Sequence, residues 1–300
     1  MSIADITHAA LEKINDKKYG FITVNFPNVD VVGHIENEPA VIKAVETVDK
    51  NIGIVIKEAF KLAIPVIVTA DHGTVEKWRY PDGAIDTGHT DSPVPFIFIS
   101  SDKNISIKKK GSLIDIAPTV LDVLGLTPSK LMTGSTLIEK KEISVNTQKR
   151  LLLIIADGWG YAENNDTNLI ALANTPVMDS LMQRYPVSIL EASGESVGLP
   201  PGTVGNSEAG HLHIGAGRVI YSDRLKIDRA INDESFYKNL TFLKVMREAK
   251  KSGNALHLMG IVSFFSSHGS INHLFALMAV SYTHLRAHET VLDLVCRLLL

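Results

Sequence analysis

Two stretches of this chain, Ile64–Ala70 (IPVIVTA) and Leu151–Ala156 (LLLIIA), are apolar almost throughout. A short unbroken run of this kind reads as a strand covered on both faces, which requires helices on either side of its sheet. Tyr19–Asn25 (YGFITVN) and Val94–Ile99 (VPFIFI) read the same way. Between Asn25 and Ile64, the residues Val41, Val45, Val48, Ile52, Ile56, Ala59 and Phe60 form the stripe of a long helix lying on a sheet. Further helices are predicted over Ser112–Gly125 and Thr175–Arg184. Strand, helix and strand in succession predict an α/β fold with an open, largely parallel sheet.

Three hundred residues are enough for one large or two medium domains. Ile138–Arg150 (IEKKEISVNTQKR) is polar, charged and aperiodic, and reads as a linker. Composition changes again after Val280, where Ser281–Leu300 carries the single cysteine, Cys296. One cysteine excludes an intramolecular disulfide and points to a reducing compartment. The N-terminal segment, with Asp5 and Glu12, reads as an amphipathic helix rather than a secretory leader. No apolar run approaches the roughly 20 residues that span a bilayer. A net charge of -3 offers neither nucleic acid nor an anionic membrane a binding surface. A cytoplasmic protein is expected.

Metal-ligand chemistry occurs at four places. Asp30 and His34 stand four apart in NFPNVDVVGH, just past a strand, where one turn could bring oxygen and nitrogen to one ion. Asp71 and His72 follow IPVIVTA directly, at the strand end where open α/β sheets place their sites. His89 lies in a loop, and Asp157 follows LLLIIA as the first residue of DGWG. Taken singly, each has a plainer reading: a solvated Asp, a turn, an isolated histidine, a capping aspartate. Ser207, in GTVGNSEAGH, sits at the expected start of a helix, where backbone N–H groups and the helix dipole favour an anion. Its plainer reading is an N-cap.

As a set, these residues supply carboxylate and imidazole ligands without thiolate. That mixture suits two ions of the Mn²⁺ or Zn²⁺ type. Such ions would also activate a serine, otherwise a poor nucleophile at neutral pH.

The motifs carry a resemblance. NFPNVDVVGH, AVETVDKNIG, VTADHGTVE, TGHTDSPVPF and GSLIDIAPTVLDVLGL resemble the C-terminal part of cofactor-independent phosphoglycerate mutases, members of the alkaline phosphatase superfamily. IIADGWG, LEASGESVGLPPGTVGNSEAGHLHIGAGR and ALHLMG resemble the N-terminal part of the same family. The resemblance implies an alkaline phosphatase-like domain, split in sequence around an inserted phosphotransferase domain. It implies one ion on Asp30, His34 and His89, and a second on Asp71, His72, Asp157 and the nucleophile Ser207, both Mn²⁺. It implies interconversion of 3-phosphoglycerate and 2-phosphoglycerate through a phosphoserine. His268 matches a substrate-contacting histidine, although Phe264 and Phe265 stand where the family has an acidic residue and a glycine.

The order of the two parts is reversed relative to the family. Residues 1–137 are expected to be the C-terminal part of the phosphatase-like domain and 138–150 the linker. Residues 151–222 would be its N-terminal part, 223–280 the start of the phosphotransferase domain, and 281–300 a tail unlike the family. The arginines that clamp substrate in the family, and a lysine upstream of its C-terminal part, have no counterpart here. An impaired mutase is therefore expected, a monomer whose partner is a small phosphoglycerate. Two alternatives stay open: a phosphatase or phosphopentomutase-like enzyme of the superfamily, and an inactive chimeric fragment.

Overall fold

Helix α1 (Ile3–Asn15) begins on a capping box, in which Ser2 Oγ accepts from Asp5 N and the Asp5 carboxylate accepts from Ser2 N at 2.7 Å. Strand β1 (Phe21–Phe26), the short helix α2 (Asn28–Gly33) and the long helix α3 (Glu38–Lys61) follow. Next come β2 (Val66–Thr69), β3 (Val94–Ile99), β4 (Ser106–Ile107), β5 (Lys110–Ser112), α4 (Ile116–Leu124) and β6 (Ile138–Lys140). The later elements are β7 (Leu151–Ala156), α5 (Leu169–Leu172), α6 (Pro176–Arg184), β8 (Val187–Glu191) and α7 (Ser207–Ala216). The structure, a computed structural model, describes residues 2–80, 82–102, 104–140, 149–260, 263 and 270–285. His268 and its neighbours Phe264 and Phe265 lie outside the described residues.

Among the described residues, six strands form one sheet in the order β1-β7-β2-β3-β8-β5. Every pairing is parallel except the two made by β3. The sheet is therefore mixed, with five strands in one direction and β3 against them. The order matters more than the count, because β7 lies between β1 and β2, and β8 lies between β3 and β5. Strands from after the linker are inserted between strands from before it, so neither segment alone makes this sheet. β7 is buried along its whole length, with α3 and α4 both packed on it. Its full apolarity is the consequence of having no solvent face. The predicted stripe of α3 is buried at Val41, Val45, Val48, Ile52, Ile56 and Ala59, but Phe60 is 49% exposed. It is the residue next to Ala59, a quarter-turn away from the stripe in the last turn.

The expected linker is shorter than its composition suggests. Ile138–Lys140 pairs with β4 as a small second sheet, and Leu137 and Ile138 are buried. At the other end Arg150 is buried too: its Nε donates to Tyr19 O at 2.9 Å and its Nη2 to Ile14 O at 2.8 Å. These bonds hold the end of α1 against the start of β7 and satisfy a charge that burial would otherwise penalise.

Two compact units are present, Met1–Tyr221 and Ser222–Leu300. The second contains α8 (Asp223–Asn232), α9 (Leu240–Ser252) and α10 (Ile271–Leu285) around Phe236, Met246, Ala276 and Val280. Within it His273 Nε2 lies 2.7 Å from Asp228 Oδ1. Helix α10 runs across Ser281 without a break, and residues beyond 285 lie outside the described residues. Among the described residues no helix is long and apolar enough to cross a membrane.

The orientation of α7 depends on a buried histidine. His213 Nδ1 donates to Ala209 O at 2.6 Å, and its Nε2 accepts from Ile220 N at 2.9 Å. This pairing requires the neutral ring, and burial pulls the imidazole pKa below its usual value. A folded pKa below the unfolded value of about 6.5 means that the unfolded chain binds the proton more tightly. Stability from this group is complete above that pH and is lost as pH falls below it. His213→Gln is expected to cost about 1 kcal/mol at neutral pH and to flatten the acid-side decline. Urea midpoints measured between pH 5 and 8 check both effects.

Candidate active site

The site lies at the carboxyl ends of the three neighbouring parallel strands β1, β7 and β2, where an α/β sheet presents its loops. β1 leads into α2, which carries Asp30 and ends at His34. One helical turn brings the pair together, with His34 Nε2 3.3 Å from Asp30 Oδ1. β2 ends one residue before Ala70, which leads into Asp71 and His72, both fully buried, and β7 ends on the residue before Asp157. Gly158 then turns the chain at φ 81°, and an added Cβ would lie 2.9 Å from the Asp30 backbone. Ser207 is the first residue of α7, with Asn206 as its cap, accepting from Ala209 N. Gly210 lets α7 approach closely, since a Cβ there would meet Cβ of Asp71 at 2.7 Å.

All seven described candidates converge. His89 Nε2 is 3.1 Å from Asp30 Oδ1 and 3.2 Å from His34 Nε2. His72 Nε2 is 3.0 Å from Ser207 Oγ, 3.3 Å from Asp157 Oδ1 and 3.7 Å from Asp71 Oδ2. Ser207 Oγ lies 3.4 Å from Asp157 Oδ1 and is half-buried. Among the described residues three groups bring their ligand atoms within 4.8 Å of one another: Asp30, His34 and His89; Asp30, His72 and Asp157; and Asp71, Asp157 and His211.

Two features of the donors fit divalent ions. The first is the tautomer of each imidazole. Nδ1 of His34 faces Thr87 O at 2.7 Å, that of His72 faces Gly73 O at 3.1 Å, and that of His89 faces Gly205 O at 3.1 Å. A carbonyl only accepts, so each Nδ1 carries a hydrogen and each Nε2 points into the site, the orientation of a metal-ligating histidine once an ion displaces any proton from it. Nε2 of His34 and Nε2 of His89 lie 3.2 Å apart, close enough for one cation to take both as ligands. The second feature is an orphan oxygen. Asp71 Oδ1 accepts from His72 N at 3.1 Å and Gly158 N at 3.3 Å, whereas its buried Oδ2 accepts no hydrogen bond. His211 Nδ1 stands between two acceptors, 2.9 Å from Ser207 O and 3.0 Å from Asp71 Oδ2, and the carboxylate raises the imidazole pKa above its usual value.

The electrostatics agree. Burial opposes ionisation of Asp157, yet hydrogen bonds from His72 and Asn25 hold its carboxyl below the usual range. Burial likewise opposes Asp30, and the hydrogen bond to His89 and the neighbouring imidazoles outweigh it. Burial would discharge His72, but the bond to Asp157 and the charges of Asp71 and Asp30 raise its pKa to about 9. Positive charge is favoured where the three carboxylates meet, whether a proton or an ion supplies it.

Three contributors are not among the sequence candidates. His211 stands one turn after Ser207 in GNSEAGH, a spacing that could have signalled it. Asn25 Nδ2 donates to Asp157 Oδ2 at 2.9 Å, and Thr74 Oγ1 donates to Asp30 Oδ1 at 3.1 Å. Neither has a local signal, because each depends on which strand or loop lies opposite.

Comparison with known proteins agrees with the donor chemistry. The chain is 48% identical over 134 residues to 2,3-bisphosphoglycerate-independent phosphoglycerate mutase 1 of Methanosarcina barkeri, covering 45% of this chain and 26% of that protein. It is 49% identical over 132 residues to the 2,3-bisphosphoglycerate-independent phosphoglycerate mutase of Methanococcoides burtonii, covering 44% and 26%. For the Legionella pneumophila protein of the same name the figures are 51% over 130 residues, covering 43% and 25%. The chain thus spans about a quarter of the length of the curated relatives it matches. The Metalloenzyme superfamily matches over residues 1–128 and 149–289. With both of its long segments matched and its carboxylates and imidazoles gathered at one sheet edge, this chain belongs to the Metalloenzyme superfamily.

Proposed function

We propose that the site transfers a phosphoryl group through Ser207, interconverting 3-phosphoglycerate and 2-phosphoglycerate with two divalent ions, Mn²⁺ by preference. The observation that carries this reading is the setting of Ser207 Oγ, half-buried at a helix start and within 3.4 Å of both His72 Nε2 and Asp157 Oδ1. The shared name of the relatives supports the substrate. One ion would be held by Asp30, His34 and His89, the other by Asp71, His72, Asp157 and Ser207. Bound ions would lower the pKa of the serine hydroxyl and neutralise the phosphoryl oxygens.

The chain's own groups do the rest. Ser207 Oγ gives up its proton and attacks phosphorus as the bond from phosphorus to the glycerate oxygen breaks, and the released glycerate oxygen takes up a proton in its place. The start of α7 sets the positive end of the helix dipole beside the new phosphoserine. In the return step the other glycerate hydroxyl attacks, giving up its proton, and the serine oxygen leaves and takes up a proton. Asn25 and Thr74 hold Asp157 and Asp30 in place throughout. A monomer acting on a small cytoplasmic metabolite is part of the same proposal, with residues 223–280 as the start of a phosphotransferase domain.

The test is a coupled enolase assay of the purified 300-residue chain with Mn²⁺, run beside release of inorganic phosphate. Formation of 2-phosphoglycerate supports the mutase. Phosphate release alone assigns the site to hydrolysis, the expected outcome if glycerate is poorly retained. Neither product in the presence of bound Mn²⁺ overturns the proposal.

A further inference from the structure

Glu76 is 1% exposed, yet neither the ligand set nor the proposed transfer uses it. A buried carboxylate is costly unless its oxygens are hydrogen-bonded, and both are. Oε2 accepts from Thr74 N at 2.9 Å, and Oε1 accepts from Thr90 Oγ1. With both oxygens engaged by protein donors, Glu76 does not serve as an ion ligand itself.

Its partners are what set it apart, because each belongs to a segment that carries candidate ligands. Thr74, whose N–H it accepts, donates its own hydroxyl to Asp30 Oδ1 at 3.1 Å. Thr90 is the residue after His89, and its N–H donates to O of Gly73, the residue after His72, at 3.0 Å. The Thr90 carbonyl accepts at 3.2 Å from N of Gly205, two residues before Ser207. A Cβ at Gly73 would overlap Glu76 Oε1 and Thr90 Oγ1, and one at Gly160 would overlap the Glu76 carboxylate from the Asp157 side. One side chain is thus wedged among the segments of Asp71 and His72, of His89, of Asp157 and, through Thr90, of Ser207.

We propose that Glu76 is a positioning residue that sets the separation of the candidate metal ligands by clamping Thr90 to Thr74. The inference rests on the ligand set proposed above and concerns ion binding, not the transfer step. Outer hydrogen-bond partners of metal ligands typically govern affinity by about 10–100-fold. The variant Glu76→Gln keeps shape while exchanging an acceptor for a donor facing Thr74 N–H or the Thr90 hydroxyl. Thr90→Val removes the hydroxyl at nearly constant volume.

The experiment is titration of each purified protein with Mn²⁺, free ion being read by electron paramagnetic resonance, with circular dichroism and thermal melting of the ion-free proteins alongside. Both variants are expected to keep the native spectrum and to bind Mn²⁺ about 10–100-fold more weakly. The double variant is expected to be no weaker than Glu76→Gln alone, because both changes break one clamp. Should Glu76→Gln fail to fold, Thr90→Val carries the comparison. Wild-type protein that binds Mn²⁺ while the folded variants bind it equally well overturns the role of Glu76 and leaves the ligand set standing. Equal affinities with lowered melting temperatures reduce Glu76 to a packing residue and overturn it as well. Wild-type protein that binds no Mn²⁺ overturns the ligand set, and the clamp with it.

Discussion

Ser207→Ala is expected to lower phosphoryl transfer by roughly a thousandfold or more, whether the acceptor is glycerate or water, while leaving the fold unchanged. The hydroxyl is half-buried at the first position of α7, and the helix is capped by Asn206 rather than by Ser207. Alanine therefore removes the proposed nucleophile without removing a cap or opening a core cavity. The bonds lost within the protein are the contact to His72 at 3.0 Å and the long one to Asp157 at 3.4 Å. Both products should fall together, and mass spectrometry of quenched wild-type protein should find phosphate on Ser207 alone. Transfer that persists in Ser207→Ala would place the nucleophile elsewhere and remove the centre of the proposed mechanism.

Asp71→Asn is expected to eliminate tight binding of one Mn²⁺ per chain, and with it at least about a hundredfold in rate. The substitution is not a mere deletion: the amide oxygen it retains can still accept from His72 N and Gly158 N, as Asp71 Oδ1 does. What disappears is the charge and the oxygen Oδ2, which is buried without a hydrogen bond. Three carboxylates meet around His72, so removing one also relieves repulsion in the ion-free protein. The ion-free variant should melt close to wild type, while the rise in melting temperature that Mn²⁺ gives the wild type should shrink. Elemental analysis after exhaustive dialysis gives the stoichiometry, and an unchanged count would remove Asp71 from the ligand set.

The parallel body of this fold was legible because burial on both faces leaves a mark at every position. β7 has no solvent side, so LLLIIA has no polar residue, and α3 shows its buried stripe at helical spacing. The edge elements left weaker marks. β5, with Lys110, Gly111 and Ser112, is half exposed, and β8 has polar Ser188 buried amid its apolar positions. Neither carries the pattern of a core strand. The reversed direction of β3 is likewise absent from its composition, since VPFIFI is fully buried whichever way it runs.

At the site, the sequence by itself determined which side chains are available and that most of them follow strands. Asp71, His72 and Asp157 could be named because a strand end is a local feature, as is the turn joining Asp30 to His34. Only the tertiary structure decided their company. Inserting β7 between β1 and β2 brings Asp157 beside His72, and the packing of α7 on Asp71 delivers Ser207 to the same point. Asn25, Thr74, His211 and Glu76 owe their roles to those long-range placements. A hydrogen bond between side chains on different strands or loops leaves no periodicity in the chain, because its energy depends on a distance that exists only after folding.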